Sequence, residues 1–199
     1  MFKKKDDLMG IIHITLEYLR ERQPPVVRLL HITILCLVLS QIIVSNFMGF
    51  ADNGEISKKT VEYYATWIHI GTGLSLLPIT FIFIYIEIKR HGIMYFFPYV
   101  YGNFSQLKKD IQQLKQFKLP EPSAYGIAAI VQGLGLGALT LVVLSGFSWF
   151  LSWINMAPWA NNIKELHELL TGLIEAYVIG HGGMGILHLF FNVKNQKGR

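Results

Sequence analysis

His167 and His181 stand fourteen residues apart on the last apolar segment of the chain. An α-helix turns about 100° and rises about 1.5 Å per residue, so the two imidazoles share nearly one face and lie about 21 Å apart along the axis. His31, early in the first apolar segment, and His69, early in the second, fall at the two matching depths. Imidazole is the commonest metal ligand in proteins, and a pair of imidazoles grips a b-type haem from both faces. The spacing predicts two such pairs, His31 with His181 at an inner level and His69 with His167 at an outer one.

Other chemistries fit these residues less well. An unpartnered imidazole in hydrocarbon costs a few kcal/mol, about the general cost of a buried polar group, and either ligation or a hydrogen bond to a neighbouring helix removes it. Two depth-matched pairs favour ligation over four separate hydrogen bonds. A histidine-based metal-ion transporter, of zinc for example, wants carboxylates at ligand spacing beside the histidines, and only Glu165 and Glu168 come near. The single cysteine, Cys36, cannot build an iron–sulfur cluster, and the absence of Cys-x-x-Cys-His excludes covalent haem attachment.

The elements that must position these groups are membrane spans. Of 199 residues, 52% are hydrophobic and 16% charged, which places the chain in lipid. Apolar runs long enough to cross the hydrocarbon core lie at about 27–50, 62–88, 124–152 and 164–192, so the expected fold is all-α, an integral membrane four-helix bundle forming one domain over 1–199. A charged leader precedes the first run, and no small-residue cleavage pattern follows it, which predicts that it is retained. Lys3, Lys4, Lys5, Arg20, Arg22 and Arg28 precede the first run, and Lys89, Arg90, Lys108, Lys109, Lys115 and Lys118 separate the second from the third. By the positive-inside rule, 1–23, 91–122 and both termini are cytoplasmic. The net charge of +5 then reports topology and contact with anionic lipid, and no aromatic-interleaved basic stripe suggests nucleic acid. Residues 8–20 place apolar side chains on one stripe and predict an amphipathic helix along the inner surface. The run SQLKKDIQQLKQFK predicts another in the inner loop, after an aromatic patch from Tyr95 to Tyr101.

Further polar and small residues have two readings each. Arg28, one turn before His31, suits an inner haem propionate, and equally the basic residue that topology demands. His188, seven residues after His181, suits a propionate or a quinone head, or an interfacial polar role. Glu175, between the two histidines of the last helix, suits proton transfer or a protonated, hydrogen-bonded carboxyl. Gln41, Asn46 and Gln132 read as inter-helix hydrogen-bonding groups. Gly71, Gly73, Gly180, Gly182, Gly183 and Gly185 leave room for a macrocycle or for close helix contact, and the Gly133–Gly137 spacing reads as a helix-packing face.

The chain resembles the bacterial cytochrome b561 family and the related b-type cytochrome subunits of nickel–iron hydrogenase and formate dehydrogenase. The matching residues are Arg28-x-x-His31, His69-x-x-x-Gly73, Ser145-Gly146, and His167 with His181; the aromatic residue that often follows the first ligand is Ile32 here. The resemblance implies that the first and last histidines ligate one haem b and the middle two another, as topology also predicts. It implies a multi-pass protein of the bacterial inner (plasma) membrane, passing electrons between a redox partner and the quinone pool in respiration, with ubiquinone or menaquinone as exchangeable substrate. A quinone pocket is expected near His181, His188 and Tyr125. The partner is expected to be an iron–sulfur, hydrogenase or dehydrogenase subunit, or else a small donor such as superoxide, which would make the chain a stand-alone superoxide:quinone oxidoreductase. A homodimer is a further expected assembly.

Overall fold

The computed structural model describes Arg20, residues 23–51 and residues 54–197, with side chains as far as 191. The amphipathic helix expected at 8–20 lies outside the described residues except for Arg20, which is helical. Among the described residues, four helices are long and apolar enough to cross a membrane: α1, Pro25–Ser45; α2, Thr60–His91; α5, Ile127–Ile154; and α6, Ala160–Lys197. Between α2 and α5 run the four-residue α3, Ile93–Phe96, a 3₁₀ turn, Pro98–Tyr101, and α4, Ser105–Lys115. Among the described residues the only strand-like pairing is an isolated bridge between Phe50 and Ile56. The fold is all-α, as its hydropathy predicts.

Local chemistry sets where the helices start and stop. Pro25 opens α1 at a position where its missing N–H and fixed φ are harmless. The first apolar run extends to about 50, but α1 stops at Ser45, because the Asn46 amide donates back to the Ile42 carbonyl at 2.7 Å and satisfies an orphan acceptor of the last turn. Lys89, Arg90 and His91 close α2, followed by Gly92 at φ +77°, a conformation that favours glycine. At the start of α5 the Ile127 N–H donates to Asp110 Oδ2 at 2.8 Å, and Gln106 Nε2 donates to Asp110 Oδ1 at 2.8 Å. Asp110 is buried. The amphipathic α4 expected in this loop is thus fastened to the beginning of the third span.

The four long helices run up and down twice, so one end carries the α1–α2 and α5–α6 connections and the other carries the start of α1 and the end of α6; we call these the loop end and the termini end. In sequence order α1 packs on α2, α2 on α5, and α5 on α6. The helices that carry facing histidines, α1 with α6 and α2 with α6, are absent from the closely packed pairs. A gap therefore separates α6 from the α1–α2 hairpin. At mid-depth it is closed by Ile34 and Val38 of α1, Leu76 of α2, Leu139 and Val143 of α5, and Ile174 of α6. Leu29, Ile32, Leu35, Leu39 and Ile43 form an exposed apolar face on α1, as a helix facing hydrocarbon requires.

Candidate functional site

Three helices, α1, α2 and α6, bring the predicted histidines together in the predicted pairs. The ring centroids of His69 and His167 are 6.4 Å apart, and those of His31 and His181 are 6.1 Å apart. Two imidazoles on opposite sides of one metal, with bonds of about 2 Å and about 1 Å more from each nitrogen to its ring centre, stand about 6 Å apart. Both separations fit that arrangement. On α6, Ile174 lies midway between His167 and His181 and belongs to the apolar layer, so the two levels are separated by packed side chains.

The loop-end pair borders a cavity of about 550 Å³, within the range of cofactor sites. His69, Gly73, Gln41, Gly146, Phe147, Trp149, Lys164 and Glu175 are among its lining residues. His69 Nδ1 is buried without a hydrogen-bond partner, a cost that a ligand would remove. His167 Nδ1 lies 2.9 Å from Ser145 Oγ, while that hydroxyl donates to the Val142 carbonyl at 2.9 Å. With its proton committed to Val142, the hydroxyl accepts from Nδ1–H and leaves Nε2 of His167 as the free donor atom. A Cβ on Gly146 would meet His167 Cε1 at 2.9 Å, so this glycine admits the ring that Ser145 orients. Gln41 of α1 fixes the level of His69 by hydrogen bonds to the His69 carbonyl, at 3.2 Å, and to the Thr72 hydroxyl.

Aromatic side chains cover the loop-end site. Trp153 Nε1 donates to the Gly54 carbonyl at 3.1 Å, pinning the α1–α2 connection onto α5. Trp149 stacks on Trp153 and meets Phe50 edge-on. Lys164 Nζ sits 5.2 Å from the Phe50 ring centre and 3.0 Å from Glu168 Oε1.

At the termini-end pair, Phe83 stacks on His31 with centroids 6.2 Å apart, and Tyr177 stacks on His181 at 5.0 Å. Sequence reasoning missed both rings. The available signals were Phe83, two heptads after His69, and Tyr177, one turn before His181. A Cβ on Gly182 or Gly185 would meet nothing within 4 Å, so space is open beside His181. Arg28 is half-buried one turn before His31, and His188 is half-buried two turns beyond His181. Nearby, Glu87 pairs with Arg90 at 2.7 Å. Tyr95 packs against His91 and lies 6.4 Å from Tyr125; burial, then the Glu87 carboxylate, pushes its phenol up.

The helix-packing reading of Gly133 and Gly137 needs correction. A Cβ on Gly133 would strike the Phe96 carbonyl oxygen at 2.7 Å, and one on Gly135 would strike the Tyr177 ring, whereas Gly137 faces open space. Gly133 thus accommodates the connection before α4, and Gly135 seats a ring that stacks on His181.

Among the described residues no three His, Cys, Asp or Glu side chains converge as a metal-holding group. Paired imidazoles are the donor set of a metal whose other positions are filled by a macrocycle, and the residues present fit haem b. Four apolar spans and this donor chemistry define a membrane-embedded b-type cytochrome. The sequence profile of prokaryotic cytochrome b561 matches residues 22–196, and the chain belongs to that family. No curated protein and no solved structure gives a significant match.

Proposed function

We propose that this chain passes electrons between a redox partner and the membrane quinone pool through two haem b groups, one held by His31 and His181 and the other by His69 and His167. The observation that carries the reading is the twofold occurrence of facing imidazoles, at 6.1 and 6.4 Å, on opposite sides of an apolar layer. Bound haem supplies one-electron chemistry between ferric and ferrous iron. The protein's own part is to fix the rings. Ser145 holds the tautomer of His167, Gly146 gives that ring room, Gln41 ties α1 to α2 beside His69, and Phe83 and Tyr177 clamp the His31 and His181 rings. The lysines and arginines around α4 and both termini support a cytoplasmic termini end in a bacterial plasma membrane. The open space beside His181, near half-buried His188, supports quinone exchange at that end.

Haem extraction with a reduced-minus-oxidised spectrum tests the reading. Two haems per chain, both low-spin and bis-histidine, are expected. A colourless protein after expression with ample iron and haem precursor overturns it, and a single haem overturns the two-level assignment.

A further inference from the structure

Phe104, Leu107, Ile111 and Leu114 follow one another at intervals of three, four and three residues, which sets them along one side of α4. Leu107 is half-buried, whereas Ile111 and Leu114 are 40% and 43% exposed and Phe104 is exposed beside them. Among the described residues this face is left largely open. The bond from the Ile127 N–H to Asp110 holds α4 level with the start of the third span. The open apolar face therefore lies at the height of the bilayer surface.

Phe117, just past the end of α4, is 99% exposed and has φ +55°. Its N–H donates to the Leu114 carbonyl at 2.9 Å, and the Lys118 N–H donates to the Gln113 carbonyl at 2.9 Å. These are the two bonds of a helix end whose left-handed residue is ordinarily glycine. Any side chain at that position crowds the backbone. The chain thus carries a large ring where the backbone disfavours a side chain and where the described residues give the ring no cover. Transfer of the ring into hydrocarbon offsets both costs.

The charge around this face has one sign. Lys108, Lys109, Lys115 and Lys118 are exposed, while Asp110, the sole acid between Ser105 and Lys118, is buried against the start of α5. Lysine stems can lie along apolar surface while their ammonium groups reach lipid phosphates, and a basic amphipathic helix with an aromatic anchor suits a negatively charged leaflet.

We infer that α4 is seated in the headgroup layer of an anionic phospholipid leaflet, with Phe117 inserted among the acyl chains and the four lysines on lipid phosphates. This is independent of the proposed function.

Hydrogen exchange of the unmodified chain, held as one copy per lipid nanodisc, tests the charge preference. One lysine at an anionic surface is worth about fivefold. Amides of residues 105–118 are therefore expected to exchange at least about fivefold more slowly in discs of equal phosphatidylcholine and phosphatidylglycerol than in phosphatidylcholine alone. Replacing the four lysines with glutamine should remove the difference. Equal rates in the unmodified chain overturn the anionic seat. Phe117→Gly separates the lipid role from a local one: glycine relieves the backbone, so a merely structural Phe117 predicts unchanged or slower exchange, whereas loss of the anchor predicts exchange severalfold faster. Depth is read with Phe117→Cys in a Cys36→Ser background, which leaves one cysteine to carry a small fluorophore. Lipids brominated on their acyl chains should quench it, and acrylamide in the water should not. A label open to acrylamide overturns the proposal, and so does one reached by neither quencher, which would mark a protein cover in place of lipid.

Discussion

Ser145 Oγ stands 2.9 Å from His167 Nδ1, and the next residue, Gly146, is the one whose Cβ would strike that same ring. Orientation and clearance therefore come from adjacent positions of a helix that carries no histidine. Ser145→Ala removes the acceptor that holds the ring, and second-sphere losses of this kind weaken metal retention by about 10- to 100-fold. Haem-to-protein ratios during a chase with apomyoglobin should show one haem leaving faster and the other unchanged.

Gly146→Ala should affect the same centre by a different route. The added methyl lies 2.9 Å from His167 Cε1, so the ring must move. Overpacking of this kind costs about 1–3 kcal/mol. Loss or a high-spin shift of one haem in the ferric spectrum is expected, with the other spectrum intact. A variant indistinguishable from wild type would show that the ring has another seat.

Histidine variants should fall into two classes. His31→Ala and His181→Ala are expected to remove one haem, and His69→Ala and His167→Ala the other, because the rings meet only across those two levels. Difference spectra of the four variants should group in that way; any other grouping rejects the pairing.

Gly135→Val should disturb the termini-end centre without touching a histidine. Its side chain would occupy the place of the Tyr177 ring, which stacks on His181 at 5.0 Å. A loss of about 1–3 kcal/mol in stability is expected from overpacking, read as a lower thermal midpoint, together with a changed electron paramagnetic resonance signal from the haem at that level.

Asp110→Ala removes the buried acceptor of the Ile127 N–H and of Gln106. Losing two part-buried hydrogen bonds costs about 0.5–1.5 kcal/mol each, so the thermal midpoint should fall while both haem spectra persist. Asp110→Asn keeps a carbonyl acceptor and should lose less.

The spans and the histidine pairs were legible in the sequence because both depend on depth alone. Apolar length marks a span, and fourteen residues of helix separate two levels whatever the neighbours are. What surrounds each ring was less legible, since helix rotation and crossing decide it. Ser145-Gly146 stood out through family resemblance, but its action on His167 needs the contact between α5 and α6. Phe83 needs the packing of α2 on α1 to meet His31, whereas Tyr177 lies one turn from His181 on α6 itself and was open to sequence reasoning that did not single it out. The Gly133–Gly137 spacing suggested a packing face, yet the close approaches fall at Gly133 and Gly135, because α3 folds back onto α5 and Tyr177 enters from α6. The early end of α1 turned on one amide, that of Asn46, in a stretch that stays apolar beyond it.

Under the proposed function, the apolar layer around Leu76 and Ile174 would make electron movement between the two levels sensitive to voltage. Along α6 the levels are about 21 Å apart, roughly two-thirds of a hydrocarbon core of about 30 Å. A full crossing is worth about 2.3 kcal/mol per 100 mV, so this passage is worth about 1.5, enough to tilt the distribution of an electron between the levels about tenfold. The resting polarity of the membrane would favour one direction of flow and hold back the other.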